Sequence, residues 1–408
     1  MKKMELLAPA GDLEKLTIAV DYGADAVYFG GDSFSLRAGA DNFSLEDMAA
    51  GIKYAHDKGV KCYLAVNIFP HNEDIEPLKA YLASVKSLAL DGLIVSDPGV
   101  IDMAKEILPE IELHLSTQAN MTNYKTAEFW HRTGIRRLVL ARELSMAEIA
   151  EMRAKIPAEM ELEAFGHGAM CMSYSGRCLL SNFMVGRDAN RGNCAHPCRY
   201  KYALVEEKRP GEYLPIEEDA RGTYILNAND LCMIEHIPQM VDAGISSLKI
   251  EGRMKSIFYV AIVVGAYRRA LDAYYADPEA YEFRQEWMEE LMKASHRTFT
   301  TGFFFHQPST EGQNLETSSY SRDYTFTGIV KRYDGITGMA LVEQRNKMNV
   351  GDIVEVFGPG RDYFQQTLVE MKDEEGTPIQ SAPHPQQMIL IKMDHPVQPN
   401  HMLRKRKE

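Results

Sequence analysis

The chain has no run of about 18 uninterrupted apolar residues, the least that a membrane-crossing helix needs, so no membrane partner is expected. Its opening residues, MKKMELLAPAGD, hold too short an apolar run for a signal peptide. Pro9, Gly11 and Asp12 break it at once, and it reads as the first strand of a cytoplasmic protein. A G-x-S-x-G elbow and an H-E-x-x-H helix are both missing, which removes the two commonest hydrolase signatures. No dinucleotide glycine fingerprint follows the first strand, and no C-x-x-C knuckle of a zinc ribbon occurs. Positive charge is also short. Against 58 acidic residues stand 45 basic ones, a net charge of −13, so a general polyanion-binding surface is not expected. The basic end, Arg404 to Lys407, reads as a solvated, solubilising tail.

What is present is the composition of a soluble globular protein of two or three domains: 408 residues, 45% hydrophobic and 25% charged. Short apolar runs at Glu5–Ala8, Ala26–Gly30, Lys61–Asn67, Gly92–Ser96, Glu112–Ser116, Arg137–Ala141, Glu161–Phe165 and Ser247–Ile250 read as strands buried on both faces. Amphipathic stretches lie between them, with Ser44 and Ser145 as N-caps. Eight such repeats predict an α/β fold, a (β/α)8 TIM-like barrel over residues 1–255. The repeat is interrupted by an insertion at 166–246, which in a barrel leaves from the C-terminal face where active sites are built. Residues 256–323 read as a helical region and linker. Period-two patterning over 324–408 predicts a small C-terminal all-β barrel.

Four of the six cysteines, Cys171, Cys178, Cys194 and Cys198, fall within 28 residues of that insertion. Four thiolates suit zinc or an iron–sulfur cluster. The wide, irregular spacing favours a 4Fe–4S cubane over zinc, because a cubane takes its ligands at separated corners. Cys62 reads as core, and Cys232 as packing or an alternative fourth ligand.

The stretch EAFGHGAMCMSYSGRCLLS, Glu163 to Ser181, meets every fixed place of E-x-F-x-x-G-small-apolar-C-x4-G-x-C-x-apolar-S. It resembles the signature of the collagenase-like peptidase U-32 family. ELLAPAGDLEKL, GADAVYFGG, STQAN, RGNCAHPCRYKY and SLKIEGRMKS are similar to the same family, so the resemblance spans essentially the whole chain. Within the family the chain is most similar to the branch of bacterial tRNA hydroxylation proteins. The resemblance implies a 4Fe–4S cluster on Cys171, Cys178 and Cys194, with Cys198 or Cys232 fourth. It further implies tRNA as partner, 5-hydroxyuridine as product, prephenate or a similar small carboxylic acid as co-substrate, and a second family member as hetero-oligomer. A collagenase-like peptidase and a non-catalytic iron–sulfur scaffold are the alternatives.

Around the insertion, Glu163 and His167 are candidate acid–base residues at the end of the seventh strand, set against structural roles as loop acceptor and loop-stabilising histidine. Arg37, Arg142 and Arg253 follow strand ends, and Lys249 and Glu251 stand at the end of the eighth strand; all five are substrate-binding candidates for a carboxylic acid, set against salt bridges that seal the barrel top. Lys249 and Glu251 share a face and are expected to pair. Asn67, Ser116 and Gln118 read as loop-satisfying polar groups.

Overall fold

The computed structural model of the chain describes residues 3–32, 34–35, 43–171, 178–199, 203–205, 213–215, 229–306 and 323–407. Seven strands come first: β1 (Glu5–Pro9), β2 (Ala26–Phe29), β3 (Lys61–Val66), β4 (Gly92–Val95), β5 (Glu112–Leu115), β6 (Arg137–Val139) and β7 (Glu161–Ala169). The insertion contributes a hairpin, β8 (Ala203–Val205) with β9 (Tyr213–Pro215), then β10 (Asp230–Cys232), before β11 (Ser247–Ile250). Strands β1 to β7 pair in parallel in sequence order, and β11 lies between β7 and β1, closing an eight-stranded cylinder. The expected TIM-like barrel is therefore present.

Six helices alternate with the first seven strands: α1 (Leu13–Asp21), α2 (Leu45–His56), α3 (Ile75–Ser84), α4 (Pro98–Ile107), α5 (Tyr124–Arg132) and α6 (Met146–Lys155). Their starts are set locally. Ser44 accepts from the Asp47 amide at 3.1 Å, and Ser145 with Glu148 forms a reciprocal capping box. One close approach demands glycine. A Cβ on Gly11 would stand 2.2 Å from the Arg253 carbonyl oxygen, so the turns after β1 and β11 meet only because the side chain is absent.

Strand β7 is longer than its apolar run predicts, and it carries a bulge. Lys249 of β11 stands opposite Phe165, but the next residue, Ile250, stands opposite His167. Gly166 is the extra residue, and a Cβ there would meet Leu248 at 2.6 Å. Beyond the bulge, β7 pairs antiparallel with β10, whose other edge takes up β12 (Phe299–Thr300). A rim is thus added to the cylinder where the insertion leaves and returns.

Helix α7 (Leu180–Val185) lies in the insertion and α8 (Ile237–Asp242) follows it. Helix α9 (Ile257–Ala276) packs on β1 and α1, so it is the eighth helix of the barrel. Its Phe258 stacks on Phe326 at 5.4 Å and meets Phe357 edge-on, so its other side is covered by the C-terminal domain. Burial on both sides explains why the helix is apolar all round. Helix α10 (Gln285–Lys293) packs against it. Among the described residues no helix is long and apolar enough to cross a membrane.

The C-terminal domain comprises β13 (Tyr324–Asp334), β14 (Met339–Gln344), β15 (Met348–Asn349), β16 (Ile353–Gly358), β17 (Arg361–Thr367), β18 (Met371–Lys372), β19 (Ser381–Ala382), β20 (Met388–Lys392) and β21 (Met402–Arg406). It is all-β, as the alternation predicts. Its main sheet runs β17-β16-β21-β13-β14-β20-β18 around one apolar core, with β15 and β19 as a separate ribbon. Arg406 and Lys407 are exposed, as a solvated tail requires, but Arg404 and Lys405 are not part of such an end. Arg404 sits in β21, between β16 and β13, with no exposed surface, forks onto Glu290 of α10 at 2.9 Å through both terminal nitrogens, and donates to Glu355 at 2.8 Å. Lys405 pairs with Asp352. Strand alternation sends one basic residue into the domain interface and the next toward a surface carboxylate.

Candidate active site at the barrel mouth

The period of two turns Glu5, Arg137, Glu161, Glu163, Ser247 and Lys249 into the cylinder. Arg137 binds Glu5 at 2.6 Å, Glu161 at 2.7 Å and Glu163 at 3.2 Å. Lys249 reaches the other oxygen of Glu163 at 2.8 Å. Tyr63 and Ser247 donate to Glu5 at 2.9 and 3.0 Å. Glu163 is wholly buried. Burial pushes its carboxyl up, but Lys249 and Arg137 outweigh that and hold it below the ordinary carboxylate range. It is therefore a fixed anion in the lumen rather than an acid or base at the mouth. The strand runs on to Ala169, which leaves Glu163 near its start. Lys249, committed to Glu163 and lying 4.3 Å from the Tyr28 ring centre, does not form the expected pair with Glu251. Arg137 and Glu5, which anchor this layer, were not among the sequence candidates. Their signal was a charged residue inside an otherwise apolar strand.

Above the ions an apolar plug of Leu7, Ala26, Tyr28, Tyr63, Ala65 and Ile94 fills the lumen. The mouth lies beyond it. Arg142, after β6, lays its guanidinium 3.8 Å over the Phe165 ring. Arg253, after β11, is buried, with both terminal nitrogens 3.3 Å from Ser35 Oγ. A Cβ on Gly30 would stand 2.3 Å from Arg253 Nη2, so the glycine admits this guanidinium. Glu251 accepts from the Tyr28 hydroxyl at 3.4 Å. Asn67 donates to Ser116 Oγ at 3.2 Å and to Gln118 Oε1 at 3.1 Å, while Ser96 donates to the Asn67 carbonyl. Cations after two strands and neutral amides after two others thus stand at one end of the cylinder, a chemistry suited to a small polar acid. Arg37 lies outside the described residues.

His167 is not part of this ring. The bulge turns it outward, under Tyr259, Tyr267 and Phe299, whose ring centres lie 6.0, 5.5 and 5.5 Å away. Burial, helped by Lys255 and His296, pushes its pKa down to about 3. The imidazole is neutral in the folded protein and takes a proton on unfolding. Its stabilising contribution is complete above the ordinary value of 6.5 and declines as pH falls from there toward about 3. His167→Phe is accordingly expected to flatten the fall in urea midpoint between pH 6.5 and 4. An unchanged slope would show that the ring is solvated.

The cysteine segment docks on the same face. Cys171 leaves the end of β7 and is exposed; Cys178, Cys194 and Cys198 are half-buried, and none of the four is in a disulfide. Arg191 forks onto Asp74, in the turn after β3, at 2.8 and 2.9 Å, and the Phe69 amide donates to the Asn190 carbonyl. Asn190 in turn accepts from the Cys178 amide at 3.2 Å, and the Ala195 amide donates to Ser181 Oγ at 3.0 Å. The His196 amide donates to Cys194 Sγ at 3.3 Å. Among the described residues no three His, Cys, Asp or Glu side chains are gathered as a ready metal cage. The donor chemistry fits a thiolate-ligated group: four reachable thiols occupy one docked segment. Cys232 differs. It is buried beside the Tyr267 hydroxyl at 3.8 Å, and burial pushes its thiol up to about 12. Cys62 is likewise buried, its thiol also pushed up to about 12.

Comparison with known proteins is consistent along the whole chain. The model of peptidase family U32 matches residues 11–314, and that of the family's C-terminal domain matches 322–404. The chain is 46% identical over 407 residues to tRNA hydroxylation protein P1 of Bacillus subtilis, covering all of this chain and 96% of the relative. It is 38% identical over 427 residues to tRNA hydroxylation protein P of Escherichia coli, covering 94% and 92%. It is also 34% identical over 381 residues to a collagenase of Porphyromonas gingivalis, covering 91% and 90%. A closed barrel whose seventh strand leads into the cysteine segment, joined to a matching C-terminal domain, places this chain in peptidase family U32.

Proposed function

We propose that the chain takes part in hydroxylation of tRNA uridine to 5-hydroxyuridine in the cytoplasm, with a 4Fe–4S cluster held by Cys171, Cys178, Cys194 and Cys198. The observation that carries this reading is the 46% identity, end to end, with a protein named for tRNA hydroxylation. The four thiols of the segment, none of them fully buried, support the ligand set, and the burial that disfavours the Cys232 thiolate argues for Cys198 as the fourth ligand. When bound, such a cluster supplies an electron-transfer or Lewis-acid centre. The protein's own part is positional. Arg142, stacked on Phe165, and Arg253, held by Ser35, offer guanidinium forks to a small carboxylic acid such as prephenate. Lys249 and Glu163 neutralise each other beneath and keep the floor rigid.

The peptidase alternative has no matching constellation among the described residues. Ser181 is buried and occupied by the Ala195 amide, Glu163 is clamped, and His167 is sealed under aromatic rings. The test is anaerobic purification with iron and sulfide analysis, and nucleoside mass spectrometry of tRNA from cells that lack or regain the gene. About four irons per chain are expected of a cubane, together with 5-hydroxyuridine restored by this chain, alone or with a second family member. A colourless zinc protein, or an unchanged nucleoside profile, would overturn the reading.

A further inference from the structure

The cysteine segment has two properties that its ligand role does not need. Helix α7 and its flank turn apolar side chains to solvent: Phe183 is 83% exposed and Leu179 58%, with Met184 and Val185 also open. A bare phenylalanine on a short surface helix is unusual, because it gains nothing from folding. The second property is charge. Between Glu163 and Glu206 the sequence has one acidic residue, Asp188, against Arg177, Arg187, Arg191, Arg199 and Lys201. This is a basic island in a chain of net charge −13. Arg187 follows the Gly186 cap of α7 and is exposed, its Nε steadied by Asn193 at 2.9 Å. The island is fastened to the mouth by the Arg191–Asp74 fork.

We propose that α7 is a nucleobase-stacking platform: an unpaired base of an RNA loop stacks on Phe183 while Arg187 meets an adjoining phosphate. The proposal rests on the tRNA reading above and adds where the RNA is gripped. An aromatic face beside guanidinium groups is the pairing that single-stranded RNA recognition uses, since every base offers a π-face and every nucleotide a negative charge. The acidic remainder of the surface repels the phosphate backbone, which concentrates binding on the island. The ridge also stands on the segment that carries the cysteines, so a base held there lies next to the proposed ligand cluster.

The test uses the full chain and a uridine-containing RNA stem-loop, followed by fluorescence anisotropy across a salt series. Phe183→Ala is expected to weaken binding about five- to 160-fold, the range of one lost stacked base. Phe183→Tyr is expected to bind like the parent. Arg187→Gln is expected to reduce the slope of log affinity against log salt by about 0.7. Circular dichroism and iron content should be unchanged in each. Parent-like affinity in Phe183→Ala would overturn the stacking platform and leave the tRNA reading standing. A parent protein that binds no RNA would overturn both. If Phe183→Ala instead dissociates a dimer while keeping RNA affinity, the ridge is a protein contact and the proposal fails.

Discussion

Arg137→Met is expected to destabilise the barrel by roughly 3–5 kcal/mol, the cost of removing one partner from a buried ionic network. Arg137 is the only cation in contact with both Glu5 and Glu161 among the described residues, and it shares Glu163 with Lys249. Its loss takes from Glu5, Glu161 and Glu163 the one guanidinium that all three share. The deficit carries a pH signature. In the parent, the depressed Glu163 contributes stability that is complete above its unfolded value and is lost as pH falls through its lower folded value. In the variant the crowded carboxylates become easier to protonate, so acid relieves them. The gap in urea midpoint should be widest at pH 7 and narrow toward pH 5. Arg137→Lys should recover only part of the loss, because an ammonium cannot fork between separate carboxylates. A variant with the parental midpoint at pH 7 would show that the lumen is hydrated and that its ions are not coupled.

Cys171→Ala, Cys178→Ala, Cys194→Ala and Cys198→Ala are each expected to lose the visible absorption of a cluster, with iron falling from about four per chain toward none. Cellular 5-hydroxyuridine should fall with it. Cys232→Ala is the contrast. Its thiol lies in the core beside Tyr267 and should be replaced with full retention of iron. None of the four segment cysteines belongs to the apolar core, so their removal should leave the urea midpoint of the metal-free chain unchanged. Iron retained in Cys198→Ala but lost in Cys232→Ala would reassign the fourth ligand. Retention in all five would remove the cluster from this segment.

The barrel, its caps, the insertion and the all-β domain were legible because each is written in short-range signals. A strand buried on both faces needs a continuous apolar run, and a helix start needs an oxygen at its first turn; Ser44 and Ser145 supply theirs within three residues. The family signature is also local, a string from Glu163 to Ser181. The roles of charged residues were not legible in this way. Glu163 and His167 stand four residues apart in one strand, and alternation alone would place both on the same face. A single extra residue at Gly166 sends one into the lumen and the other under α9. Lys249 looked poised to meet Glu251, yet a neighbouring strand offered Glu163 at hydrogen-bonding distance.

By itself, then, the amino-acid order determined the repeating βα units, the position of the cysteine segment after the seventh strand, and the membership of peptidase family U32. Only the tertiary structure decided which way the charges face: the Arg137 network inside the cylinder, Arg404 buried between domains, and Arg191 fastening the insertion to the turn after β3. The reason is physical. Apolar periodicity and capping act within a few residues, whereas a buried charge is satisfied by whichever opposite charge the closed sheet brings near, and that depends on register and closure over the whole chain.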